Sequence, residues 1–541
     1  VGAVVALTSI NFPPGIQKDG TQLDTDCCID GQWVRFRNKR PRKILGYQGA
    51  SDGLLGIGRR IHMFYKNNKV YVHVGTGKGL QQFVMTPTGT VLSSADRTPL
   101  SFPSGPDAGW SLDALFDSTS DVTQIVAHSS PEISVTASDD KTIPYIGDIT
   151  STDRLIPLAN PFKDDGYYYN PKVSGGIVCV QPFLFDFDSD GYIGWSAPNL
   201  PNTLGIQGGT SGAGNARVSA QKIVAGQALR GGGANSPAAL FWSLSELILA
   251  QFIGTANGGF RFTTVSPSTS ILSAQSIIED KGLYFWAGVD SFMCYNGTVV
   301  EIPNSYNADF FFDNMNWDAA GKAFACKIPR FAEIWFCAPL FGASEPNYAV
   351  IYNLREQCWY HTALPEGGRG AAYFPQGLRY PIMTGVENVG GSGDAERYSL
   401  WVHEKGTDKV TATGPVPIRS YYDTPIVGGP GLDPPDDHGT AVQTIEPDFI
   451  QSGDMTATVM GTFNSKANDM PGKPSTIKAI PETPAQQIVG FSETRRLARL
   501  RFESNTLGGN YVAGKTILHS EQGDCHLTGG PNSAIPPKGS P

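Results

Sequence analysis

The stretch "FLFDFDSDGYIGWSA", residues 183–197, decides how the chain is to be read. Two short apolar runs, "FLF" and "YIGW", flank an Asp-Gly pair, the dipeptide that best accepts the positive φ angles of a tight hairpin turn. The same letters carry a second reading. Asp186, Asp188, Asp190 and Gly191 match the first half of a calcium loop, but the twelfth place holds Ala197 instead of the bidentate Glu such loops need. A hairpin is therefore expected, with weak cation binding by the three aspartates left open.

The layout recurs in "KVYVHVGTGKGLQQF", "EISVTASDDKTIPYI", "GLYFWAGVDSFMCYNGTVVEI", "EIWFCAPLF", "YAVIYNLREQCWYHTAL" and "YSLWVHEKGTDKV". Turn centres near Lys78, Asp139, Asp190, Ser245, Gly297, Leu354 and Lys405 follow one another at roughly 50 to 60 residues, the blade length of a loose propeller. The best helix candidate, "SPAALFWSLSELILAQF" (236–252), can also be read as two strands about a turn at Ser243–Glu246. A single blade cannot bury both of its faces, so such repeats must pack round a common axis. The expected fold class is all-β: a β-propeller of six or seven blades over residues 46–410, with tandem β-sandwiches as the alternative. After Gly414 the composition changes to strand-like runs ("TATVMGTF", "RRLARLRFES") separated by the Pro-rich loops "GGPGLDPPDDHG" and "KANDMPGKPSTIKAIPETPAQQ". The closing "GGPNSAIPPKGSP" reads as a tail held by a partner or disordered.

Bulk properties agree with this reading. The 541 residues include 63 Gly and 39 Pro without a collagen-like period, which favours many short strands and turns. A net charge of −9 argues against a general nucleic-acid binder, because such affinity comes from neutralising phosphates with a basic surface. It is compatible with a protein that DNA must slide past. Eight Cys (27, 28, 179, 294, 326, 337, 358 and 525) form neither C-x-x-C pairs nor zinc-type clusters, so reduced, buried thiols are expected. No apolar run has the length of a membrane span, and "VGAVVAL" lacks the basic start of a signal peptide. The expectation is a soluble chain made in a reducing compartment.

Catalytic motifs are weak. "GNYVAGKT" (Gly509–Thr516) satisfies the P-loop pattern, but "ILHSEQGDCH" follows it where a helix should begin, so Lys515 is expected to be an ordinary strand or turn cation. The 183–197 stretch also approaches the Asp-box of sialidase propellers, out of register by one. That likeness supports the alternative of a glycan-binding or glycan-hydrolysing propeller. No H-E-x-x-H or G-x-S-x-G occurs and the eight His are scattered, so no catalytic residue, cofactor or metal site is assigned.

One segment stands out by charge. In "GQWVRFRNKRPRKILGYQ" (31–48), Arg35, Arg37, Lys39, Arg40, Arg42 and Lys43 crowd into nine positions. "QWVRFRN" alternates Trp33, Arg35 and Arg37 with Val34 and Phe36, "NKRP" turns and "RKILGY" returns, so a half-buried hairpin with one cationic face is expected. Arg495, Arg496, Arg499 and Arg501 in "TRRLARLRF" form a second set. The functional expectation for all ten is a positive seam that docks an acidic neighbouring protein. Reversal of Arg35 and Arg37 to Glu is then expected to block docking and leave the fold intact.

These residues also carry a family likeness. "NFPPGIQKDGTQ…GQWVRFRNKRPRKILGYQ" resembles the N-terminal signature of the tail nozzle (tail hub, packaged-DNA stabilisation) proteins of short-tailed bacteriophages, and "RRLARLRFESNTLGGNYVAGKT" resembles their C-terminal one. Residues 282–316, "IYNLREQCWYHTAL" and "IEPDFIQSGDMTATVMG" look like intermediate landmarks, while 85–175, 425–440 and 464–488 depart from the pattern. The resemblance implies a propeller body with a β-rich platform built from both chain ends: residues 1–45 as arm and basic hairpin, and 411–541 as platform with loop insertions. It further implies a non-enzymatic virion protein of the tail, assembled in the bacterial cytoplasm as a homo-hexamer. Such a ring sits below the portal's ring adaptor, carries fibres or spikes, and retains packaged DNA before passing it at ejection.

Overall fold

The computed structural model describes residues 6–51, 53–100, 102, 108–130, 142–158, 173–204, 212–230, 236–254, 259–364, 368–374, 377–388, 396–427, 439–462, 468–480 and 488–523. Almost all regular structure is β-strand, with one short α-helix, Ala308–Asp313, among the described residues. The hairpin expected at 183–197 is present: Phe183–Phe187 pairs antiparallel with Tyr192–Trp195. Asp188 Oδ1 accepts the N–H groups of Asp190 and Tyr192, both at 2.9 Å, and Gly191 supplies a φ of +80°. The helix candidate resolves into the strands Ala238–Ser243 and Leu247–Gly254.

Seven sheets follow one another along the chain, their first strands beginning at Gly58, Gly109, Gly176, Ile223, Ile277, Phe324 and Arg369, all antiparallel but for one parallel pair in the last, Lys409–Thr411 with Tyr47–Ser51. The first six have four strands each. In the seventh, Glu396–His403 pairs with Tyr47–Ser51, so an early segment completes a late sheet. The fold is all-β and propeller-like. Its repeat differs in phase from the sequence reading. Lys78, Asp190 and Ser245 turn between second and third strands, whereas Gly297 and Leu354 turn between third and fourth. Hairpins of either kind present the same alternation, so letters alone cannot set the phase. Asp139, the Pro-rich loop at 428–438 and the closing tail lie outside the described residues.

Burial explains why the sheets stack. Strand Gly176–Val180 is buried on both faces: Ile177 and Cys179 pack with Leu115 and Val126 of the second sheet, Val178 and Val180 with Phe241 and Ile248 of the fourth. Successive side chains point to opposite faces, so one apolar run serves two interfaces. In the fourth sheet Phe241 turns back to the third while Trp242 packs on Trp286 of the fifth. The last sheet meets the first through Leu400 and Ile382 against Ile61 and Val72.

Both chain ends build two further sheets. In one, Val34–Arg37, Arg40–Lys43, Asn510–Gly523, Gly439–Ser452 and Val489–Arg495 are neighbours, with Ala6–Ile10 also paired to Asn510–Gly523. The other orders Asp30–Gln32, Ser420–Asp423, Leu497–Ser504, Met455–Thr462 and Ser475–Ile477. Trp33 divides the chain between them. Its φ of +54° is unusual for a bulky residue and costs of order 1–3 kcal/mol, offset here by burial against Trp335 and Tyr47. The "GNYVAGKT" motif lies largely within the paired strand Asn510–Gly523, so strand and not helix follows it as far as Gly523. All seven described cysteines are buried free thiols. Among the described residues, no helix is long and apolar enough to cross a membrane.

Candidate functional site

The basic hairpin forms as expected, with Val34↔Lys43 and Arg37↔Arg40 in register. Asn38 and Lys39 take φ values of +53° and +59°, the two left-handed residues of a tight hairpin turn. Their N–H groups donate to the Glu356 carboxylate at 2.7 and 3.1 Å, which ties the tip to the sixth sheet.

The hairpin's sides, however, are not solvent faces. Arg35 is wholly buried between Glu333, which opens a strand of the sixth sheet, and Glu404, which follows a strand of the seventh. Its Nε lies 2.8 Å from Glu333 Oε1, and Nη1 and Nη2 donate to Glu404 at 2.8 and 2.6 Å. Tyr360 Oη and Trp335 Nε1 donate to the remaining valences of Glu333 at 2.6 and 2.9 Å, and the Phe331 ring lies 3.7 Å from the guanidinium carbon. Burial by itself would make Arg35 easier to deprotonate; Glu333 and Glu404 outweigh it and hold the cation. Glu333 is shifted upward by its burial, against the pull of Arg35.

Lys43 is also buried and donates to the Gly509 carbonyl at 2.9 Å; burial brings its pKa down to about 8. In the second set, Arg499 is buried against Asp469 and Asp423, and Arg495 pairs with Glu493 at 2.9 Å. Arg501 holds Asp423 through two bonds of 2.6 and 2.9 Å and covers the Tyr421 ring. Asp30, Asp423 and Arg501 stand opposite one another on three adjacent strands, so this ladder joins the N- and C-terminal segments.

The ten residues expected to form one positive seam differ in burial. Arg35, Lys43, Arg495 and Arg499 are buried and engaged inside the chain, and the half-buried Arg501 is held by Asp423. Lys39 and Arg40 are exposed at the tip, and Arg37, Arg42 and Arg496 are half-buried. The exposed Arg330 adds a cation near Phe331, with Arg37 on the same ring at 5.9 Å. Arg42 is lowered by burial and by the neighbouring Arg37, Arg35 and Arg330, which marks a crowded positive tip. Glu333, Glu404, Glu356 and Asp423 were not legible as partners, since nothing local distinguishes them from other acids.

Among the described residues, no cluster of three or more His, Cys, Asp or Glu could hold a metal ion. The geometry thus defines an all-β, propeller-like protein with a platform made of its two ends and a basic tip beside their junction. Compared with known proteins, the chain matches no family model and no curated protein.

Proposed function

We propose that the chain is a structural virion protein, the tail nozzle of a short-tailed phage, with the seven successive sheets forming a seven-bladed propeller. The observation that carries this reading is the joining of both chain ends into one platform fastened to the sheets through Arg35, Glu333 and Glu404. That arrangement agrees with what the resemblance at the two ends implies. The tip formed by Arg37, Lys39, Arg40, Arg42 and Arg330 is the surface offered to an acidic ring adaptor, where charge steers encounter and sets register. A net charge of −9 suits a hexameric duct, because each neutralised phosphate adds affinity and therefore friction on passing DNA.

Negative-stain imaging of the full chain, alone and mixed with the adaptor ring, tests the proposal. Six-fold rings with a central channel are expected, at least in the mixture. Single particles that ignore the adaptor would overturn it.

A further inference from the structure

First strands of several sheets converge on a cavity of about 170 Å³, lined among others by Arg60, His62, Asp113, Gln227, Gln275 and Tyr373. For scale, an engineered apolar cavity of about 150 Å³ admits benzene. This one is charged. Arg60 lines the cavity, and its guanidinium makes neither a hydrogen bond nor an ion pair with any described residue. Arg60 is half-buried and none of its nitrogens is closed off from solvent, so its donors stay open to a ligand.

Asp113 supplies the opposite charge. Its Oδ1 accepts the Ala114 N–H and its Oδ2 the Cys179 N–H, both at 2.8 Å, so each oxygen keeps a further lone pair. His62 does not neutralise it. Its Nε2 is 3.9 Å from Asp113 Oδ1, beyond hydrogen-bond range, and burial lowers its pKa to about 4. The cavity is therefore lined by one basic and one acidic side chain that are not joined; burial lowers Arg60 and raises Asp113, and each opposes that shift in the other. A simple anion would meet Asp113, and a simple cation would meet Arg60. A molecule carrying both charges satisfies both.

The geometry points to a binding site for a small zwitterion of the free α-amino-acid class, Arg60 holding its carboxylate and Asp113 its ammonium. Gln227, Gln275 and the Tyr373 hydroxyl are available to contact its remaining polar atoms. The site shares no lining residue with the basic tip.

Calorimetric titration of the full chain with glycine, alanine and serine, and separately with acetate and ethylamine, tests this. One amino acid bound per chain is expected, with acetate and ethylamine at least tenfold weaker. Arg60→Gln, which removes no hydrogen bond or ion pair with a described residue, should weaken the amino acid at least tenfold while the chain stays folded. Arg60→Lys, keeping the charge without the fork, serves if the first variant does not fold. Absence of binding by all three amino acids, acetate as tight as the best of them, or an unchanged affinity in the variant overturns the assignment.

Discussion

Arg35 grips Glu404 with two hydrogen bonds, Nη1 to Oε2 at 2.8 Å and Nη2 to Oε1 at 2.6 Å, across 369 residues of sequence. The same guanidinium holds Glu333, so one side chain of the N-terminal hairpin fastens two sheets of the body. Such a fork suits arginine and not lysine, whose ammonium offers no planar array of donors.

Removing Arg35 should be felt as a loss of stability before any loss of docking. Arg35→Met leaves two buried carboxylates without a counter-charge, at a cost of about 3–5 kcal/mol. Denaturant unfolding should show this, and Arg35→Met combined with Glu333→Gln and Glu404→Gln should recover a substantial part. A single variant within about 1 kcal/mol of the parent would contradict the role given to the cluster.

Lys39→Glu with Arg40→Glu addresses the proposed docking surface alone. Both residues are exposed, so stability should stay within about 0.5 kcal/mol. Affinity for the adaptor ring should fall at least tenfold, and the parent's affinity should weaken with added salt. Interferometry at two ionic strengths reads both. Unchanged affinity would remove the tip from the interface.

Stability should decline on mild acidification. His128 is buried, its Nε2 lying 2.8 Å from the Val173 carbonyl oxygen and 2.8 Å from Thr142 Oγ1, and burial lowers its pKa from 6.5 to about 4. Between those values the unfolded chain binds the proton and the folded chain does not, so stability is lost as pH falls through 6.5 and the loss ends near 4. At pH 5 this one group accounts for about 2 kcal/mol. His128→Gln should flatten the curve between pH 7 and 5 by that amount; an identical slope in the variant would rule out His128 as its source.

Gly46 marks the passage from hairpin to body. A Cβ there would lie 2.2 Å from the Asp408 carbonyl oxygen and 2.5 Å from its nitrogen, both backbone atoms that cannot swing aside. Gly46→Ala should cost about 1–3 kcal/mol, the usual range for overpacking. A thermal midpoint equal to the parent's would show that the junction has room.

Particular elements show where sequence reasoning succeeded and where it stopped. The hairpins at 34–43 and 183–195 were legible because their turn residues and alternation are local properties. The choice between helix and strands at 236–252 was open in the letters. Pairing on both sides decided it: Ala238–Ser243 bonds to Ile223–Ala228 and to Leu247–Gly254. The environment of the two cationic segments was half legible. Its charge was visible, but the same cationic alternation describes a wet face and a face closed by distant carboxylates.

By itself the sequence determined the all-β character, the succession of hairpins and the positions of the two cationic segments. These follow from side-chain period and turn chemistry, which act over a few residues. Tertiary structure alone decided which cations remain free. Arg35 meets Glu333 and Glu404, and Arg501 meets Asp423, only after strands far apart in the chain are brought together. A charge's fate depends on what covers it, and covering is a property of the assembled sheets.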